Sequence, residues 1–238
     1  MEFSGNHIVI IGGSSGIGRA VAEAALSRGA RVTITSRSAE RAERVAAEIG
    51  GGAAGAACDL GDEASVAALF AGIDAVDHVY VAGGSTTLGP LGDDPLAEQL
   101  RDFDTRIRGS LAAVRAALPK LREGGSFVFT GGVSTDRPIG GAWVSGLATS
   151  TAEQLARVLV MEYPRVRFNA VSPGYTDTPM WDDVMGDGKA EALRAVAEGL
   201  PVGKIATPGE VASAVLFLMG NASVTGEVVH VDGGGRLV

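Results

Sequence analysis

The sequence predicts an α/β fold, a doubly wound seven-stranded parallel sheet with helices on both faces, and three observations carry that expectation. Short apolar runs of strand length alternate along the whole chain with longer segments whose apolar residues recur at helical spacing. The first run passes straight into a glycine-rich turn, Gly12 to Gly18, and then into a helical pattern. The 238 residues, 46% of them hydrophobic, suffice for one domain whose strands are buried on both faces.

The expected strands are His7–Gly12, Arg31–Thr35, Ala53–Cys58, His78–Ala82, Ser126–Thr130, Arg165–Val171 and Glu227–Val231. Between them Gly18–Arg28, Ala39–Ile49, Glu63–Phe70, Leu96–Leu121, Ser145–Glu162 and Gly209–Leu218 read as helices. Such alternation implies right-handed crossovers and a parallel sheet covered on both sides. Gly50-Gly51-Gly52 reads as a turn between a helix and a strand. Ligands of such sheets bind at the carboxyl ends of the strands, near the point where strand order reverses. The irregular segment 175–199, with Pro179, Gly186 and Gly188, follows a strand at that end and reads as a substrate lid.

Bulk properties narrow the partners. A formal net charge of −8 disfavours nucleic acid and anionic membrane surfaces, which need a basic face. No run approaches the roughly 18–20 apolar residues of a membrane span. The one cysteine, Cys58, cannot form an internal disulfide, and a reducing cytoplasm is the simplest setting. No metal site is expected.

The glycines divide the work of a dinucleotide entrance. Gly12 permits the tight turn leaving the strand, while Gly16 and Gly18 admit phosphate to the backbone and let the helix pack close. Ser14 and Ser15 add hydroxyls, Ile17 lies between the last two glycines, and the helix N-terminus favours a pyrophosphate. After the second strand stand Ser36 and Arg37, where a carboxylate would select NAD; an arginine suits the 2′-phosphate of NADP. The competing reading of Arg37 is a surface residue opening a helix.

The spacing Gly12-x-x-x-Gly16-x-Gly18 resembles the short-chain dehydrogenase/reductase family, and so does most of the chain. Cys58-Asp59-Leu60, Ala82-Gly83-Gly84, Asn169-Ala170-Val171-Ser172-Pro173-Gly174 with Thr176 and Thr178, and Val231-Asp232-Gly233-Gly234 follow the family's pattern. The resemblance implies a Rossmann fold binding NADP(H). Asp59 and Leu60 would lie at the adenine, Ala82 and Gly83 along the cofactor, and Pro173, Gly174, Thr176 and Thr178 at the nicotinamide. It also implies a homotetramer or homodimer.

The family's catalytic residues are a Tyr followed four residues later by a Lys, with a Ser and an Asn in support. No Tyr-x-x-x-Lys occurs in this chain: Tyr80, Tyr163 and Tyr175 are followed at that distance by Gly84, Arg167 and Pro179. Flanking residues place Ser145 and Thr149 where the pair belongs, Gly132 at the Ser and Arg106 at the Asn. Candidate replacements are Ser145, Tyr175 and Arg106, with Ser134 as a shifted hydroxyl. Arg106 reads equally as a ligand for a substrate carboxylate and as an ion-paired filler; Tyr175 reads as facing the nicotinamide or as packing the lid. Two functions are expected to compete. One is an oxidoreductase acting on an already activated C=N or C=C bond of a small molecule. The other is a catalytically inactive NADP(H)-binding module supporting a partner, and a lyase or isomerase on the same fold stands beside the first.

Overall fold

A computed structural model describes residues 2–84, 88–92 and 94–238, with Asp183 described by its backbone alone. Seven parallel strands form one sheet: β1 (His7–Ile11), β2 (Arg31–Ser36), β3 (Ala54–Ala57), β4 (Val76–Val81), β5 (Leu121–Thr130), β6 (Arg167–Pro173) and β7 (Val228–Val231). Their order is β3-β2-β1-β4-β5-β6-β7. The chain runs outward from β1 to β3 and then returns to the other side of β1, so the crevice between β1 and β4 is where strand order reverses.

Strand periodicity explains the two cores. Val9, Ile11, Val79, Val81, Phe127, Phe129 and Phe168 face α3 (Glu63–Ala71), α5 (Arg101–Ala117) and α6 (Trp143–Glu162). Their neighbours Ile8, Ile10, Tyr80 and Val128 face α1 (Gly16–Leu26), α2 (Ala39–Ile49) and α9 (Pro208–Gly220). Successive side chains leave opposite faces of a strand, so continuous apolar runs are what a sheet covered on both sides requires. Small residues such as Ala113, Ala117, Ala152 and Ala156 let α5 and α6 lie close above the stacked rings of Phe127 and Phe168 (5.1 Å apart). α9 begins with Pro208 behind the cap Thr207, whose hydroxyl accepts from Glu210 N–H while the Glu210 carboxylate accepts from Thr207 N–H.

Several boundaries differ from the sequence reading. The expected helix Leu96–Leu121 is broken: α4 covers only Leu96–Gln99, α5 ends at Ala117, and a 3-10 turn at Leu118–Lys120 leads into β5 at Leu121. Pro119 cannot continue the α-helical hydrogen bonding, which a pattern of apolar residues alone does not register. β5 is therefore ten residues long and not the five of Ser126–Thr130. Arg165, placed in a strand by pattern, adopts φ 78° in a turn, and β6 starts at Arg167. The segment 175–199 contains α7 (Met180–Met185), a 3-10 turn at Gly186–Gly188 and α8 (Lys189–Gly199). No helix among the described residues is long and apolar enough to cross a membrane.

One buried titratable group lies at the amino end of the sheet, away from the cleft. His78 on β4 is 6% exposed, its Nδ1 is 2.9 Å from Ser126 Oγ, and Phe3 meets it edge-on. Burial, reinforced by the positive charge of Arg167 and opposed by Asp77, pushes its pKa down to about 4 from an ordinary 6.5. The folded protein thus keeps His78 neutral where the unfolded chain would protonate it. Its stabilising contribution is complete above about pH 6.5 and is lost as pH falls toward 4, on the order of 3 kcal/mol in all. Urea titrations from pH 7.5 to 4.5 should show wild type losing more stability than His78→Asn. Parallel losses in the two proteins would contradict the assignment.

Candidate active site

The glycine turn joins three strand ends. Gly12 takes φ +87°, and a Cβ there would meet Gly83 N at 2.9 Å; a Cβ on Gly18 would meet Gly12 O at 2.3 Å. Ala82 and Gly83 N–H both donate to Ile11 O (2.9 and 3.1 Å), so β1 and β4 stay joined into the crevice. Thr35 at the end of β2 holds the turn from the other side, its Oγ1 accepting from Gly12 N–H (3.2 Å) and its carbonyl from Gly13 N–H (3.1 Å). Ser15 caps α1 in an extended conformation with no side-chain hydrogen bond. The first N–H groups of α1 are consequently unspent on a capping side chain, and with the helix dipole they favour an anion.

The sequence-predicted cofactor residues gather around this turn. Ser14, Ser15, Gly16 and Ile17 are half-buried, and Gly18 is buried. Ser36 and Arg37 follow Thr35; Arg37 is exposed and makes no hydrogen bond or ion pair among the described residues. Asp59 follows β3, one carboxylate oxygen accepting from Gly61 N–H (2.9 Å), and Leu60 packs beneath Gly83. At the end of β6, Pro173 and then Gly174 lead to Thr176, whose Oγ1 donates to Gly174 O (3.1 Å). Thr178 is 8% exposed, and its side chain lies where a Cβ on Gly16 would come within 3.2 Å. This set fits a dinucleotide: a Cβ is excluded at Gly12 and Gly18, and no side chain caps the end of α1.

The segment 175–199 is held by short-range contacts. Lys189 Nζ donates to Thr178 O (3.1 Å) and pairs with Asp177 (3.0 Å) and Asp182 (2.9 Å), which raise its pKa. Tyr175 stacks on Trp181 with centroids 5.1 Å apart. Of the two sequence readings of Tyr175, the contact found is the packing one. An open groove of about 590 Å³ runs beside α8, lined by Leu193, Arg194, Lys204 and Ile205 among others.

At the end of β5, two buried ionisable side chains approach the backbone. Arg106 on α5 is 9% exposed, its Nη1 donates to Thr130 O (2.8 Å), and its Nε has no partner. Burial lowers its pKa, and Asp102 and Tyr80 oppose that shift; an arginine nonetheless stays charged. On the other side Glu153 of α6, 3% exposed, accepts from Gly132 N–H (3.2 Å). Below them the buried Tyr80 hydroxyl is 3.0 Å from Thr130 Oγ1, which donates to Val81 O (2.9 Å); burial pushes the Tyr80 pKa up to about 12. Ser145 and Thr149 lie one turn apart on α6, but the Thr149 hydroxyl donates back to Ser145 O (2.9 Å) and is 3.1 Å from Thr135 Oγ1. Ser134 belongs to the 3-10 turn Val133–Thr135.

Sequence reasoning missed Thr35, Thr130 and Glu153. Glu153 had a signal: the one carboxyl group among the buried residues of α6, four residues beyond Thr149. Thr35 and Thr130 had none, because a strand-end hydroxyl turned onto a neighbouring backbone looks like any strand threonine. His230 lies near the same end of the sheet. It sits next to the last residue of β7, and its Nε2 is 2.9 Å from Asp136 in the segment after β5, so it borders the carboxyl-end side of the sheet.

Comparison with known proteins gives the class. The family profile described as Enoyl-(Acyl carrier protein) reductase matches residues 12–235, and the chain belongs to the short-chain dehydrogenase/reductase family. It is 30% identical to human 3-oxoacyl-[acyl-carrier-protein] reductase over 96% of this chain and 97% of the relative. It is also 30% identical to a 2,5-dichloro-2,5-cyclohexadiene-1,4-diol dehydrogenase of Sphingobium indicum, covering 98% of each. Among solved structures, a short chain dehydrogenase/reductase family protein superposes with TM-score 0.90 at 38% identity, covering all of both chains. A small-chain dehydrogenase in complex with NADPH superposes with TM-score 0.86 at 30% identity, over 98% of this chain and 99% of the other.

Proposed function

We propose that this protein is an NADP(H)-dependent oxidoreductase of the short-chain family whose active site departs from the family's Tyr-Lys chemistry. Its substrate would be a small molecule with an already activated C=N or C=C bond. One observation carries the reading: the dinucleotide cradle is intact, while the α6 positions of the proton donor hold Ser145 and a Thr149 hydroxyl that donates into its own helix.

Bound NADPH supplies a hydride. The remaining tasks fall to the chain. The α1 N-terminus holds the pyrophosphate, Arg37 the 2′-phosphate, Asp59 the adenine edge, and Thr178 the carboxamide. A ketone gains an alkoxide-like oxygen as hydride arrives, and a positioned acid typically contributes about 10²–10⁴-fold by protonating it. Ser and Thr hydroxyls are far too weak as acids for that task. An iminium carries its positive charge beforehand and needs no proton at the reacting stage, and an activated alkene takes the hydride at carbon to leave a delocalised enolate that water protonates afterwards. A reductase/Diels-Alderase, MalC from Malbranchea aurantiaca, shares the fold at TM-score 0.91 and 27% identity over 99% of this chain and 98% of its own, so the fold hosts chemistry beyond ketones. In this reading α7 and α8 form the substrate lid, and Tyr175 packs against Trp181 within it. The rival reading, an inactive NADP(H)-binding module, draws on the same α6 substitutions.

We further propose a homo-oligomer, a dimer or tetramer, working in the cytoplasm. Leu111 on α5 and Leu147, Val158 and Met161 on α6 are exposed, Met161 at 81%. Helices covered by the sheet on one side and apolar on another need a second cover.

Three outcomes test these proposals. NADP(H) should bind more tightly than NAD(H), and Arg37→Asp should weaken NADP(H) by about thirty- to a hundredfold in calorimetry; equal affinity for the two cofactors would remove the assignment. Wild type should not turn over simple ketones. Ser145→Tyr with Thr149→Lys should gain little until Gly132→Ser and Arg106→Asn are added, because such groups act as a unit. Full activity from the double change alone would contradict this. Light scattering at micromolar concentration should give a dimeric or tetrameric mass, and a monomer would refute the oligomer.

A further inference from the structure

The one buried cation at the carboxyl end of the sheet that leaves an N–H unspent, among the described residues, is Arg106. Its guanidinium touches two strand ends: Nη1 donates to Thr130 O after β5, and the opposite edge lies against Gly84 after β4. A Cβ at residue 84 would stand 2.4 Å from Nη2, 2.8 Å from Cζ and 2.9 Å from Nε. Glycine therefore keeps a side chain out of the space in front of the Nε–Nη2 edge. That edge is the one a carboxylate engages side-on, with two parallel N–H···O bonds. Gly84 itself is exposed, so the edge lies one residue below the surface of the cleft.

An unsatisfied buried donor on a charged group costs free energy, which an anionic oxygen would recover. The cofactor's own anions are placed elsewhere, at the α1 N-terminus and at Arg37, leaving this one for the other ligand. The segments that follow the two strand ends carry exposed apolar side chains. Gly89 N–H donates to Gly141 O (2.7 Å), joining the segments that follow β4 and β5, and these carry the exposed side chains Leu88 (48%) and Ile139 (51%).

We propose that Arg106 is the anchor for a substrate carboxylate, and that the substrate is an apolar acid whose carboxylate sits on the Nε–Nη2 edge with its hydrocarbon body toward Leu88 and Ile139. The proposal rests on the reading of this cleft as the substrate pocket of a reductase. It needs no turnover to be tested.

The probes are trans-cinnamate and octanoate against cinnamamide and octanamide, equal in shape but uncharged. Each is titrated by calorimetry into the NADPH-loaded oligomer and into the protein alone. Wild type should bind each acid at least about tenfold more tightly than its amide, and Arg106→Gln should bring the two within about twofold while leaving NADPH affinity unchanged. Equal binding of acid and amide by wild type, or no binding of either acid, overturns the proposal. So does an Arg106→Gln protein that loses NADPH affinity tenfold yet still prefers the acids, which would give Arg106 to the cofactor. Should that variant fail to fold, the ¹⁵N-labelled wild type decides: the Arg106 Nε–H resonance moves downfield with cinnamate and not with cinnamamide, and an unmoved resonance overturns the proposal. Acid preference that depends on Arg106, with no NADPH oxidation by any acceptor, would sink the reductase reading and leave the anion anchor standing.

Discussion

Everything in the cleft depends on backbone meeting backbone at the crevice between β1 and β4. Gly12 lies so close to Gly83 on one side and Gly18 on the other that a single added carbon would force strand or helix to move. Close packing makes such a shift costly, since interiors accept little extra volume. The contact aims α1 at the crevice, holds β4 against the end of β1, and leaves a tight glycine turn at the α1 N-terminus, whose N–H groups favour an anion. Thr35 extends the same constraint to β2, and so fixes the strand end from which Ser36 and Arg37 follow.

Around that rigid frame the β5 end is built differently from a surface that merely closes over the sheet. A guanidinium and a carboxyl group, those of Arg106 and Glu153, approach it from α5 and α6 and bind backbone atoms on either side of Gly131. Burying such groups is expensive unless hydrogen bonds meet them. Thr130 O and Gly132 N–H provide part of that compensation, and Nε of Arg106 is the part left over. Tyr80 is no substitute for a catalytic phenol, because it is fully buried and its pKa is pushed up to about 12.

The sheet was legible in the sequence because strands buried on both faces are continuous apolar runs, and the glycine turn was legible because no other residue fits it. Ends of elements were less so. Pro119 and the left-handed Arg165 shift boundaries through backbone geometry, which apolar spacing does not encode. At the site, positions defined by exclusion, such as Gly12, Gly16 and Gly18, could be read directly. Positions defined by a partner distant in sequence could not. Arg106 admitted two readings, and only the placement of Thr130 O and Gly84 around its guanidinium shows which edge is engaged and which is not. The hydroxyl of Thr149 likewise looked available on the helix face until its bond to Ser145 O was seen.

The central claim is that an intact cofactor frame delivers hydride here without a phenolic proton donor. The most direct measurement is a single turnover with NADPH deuterated at the transferable position, followed by mass spectrometry of products from a cyclic iminium, an activated alkene and a simple ketone. The account predicts deuterium on carbon in the iminium or alkene product and none in the ketone product. Deuterium in the ketone product at a comparable rate, or in no product at all, would contradict it.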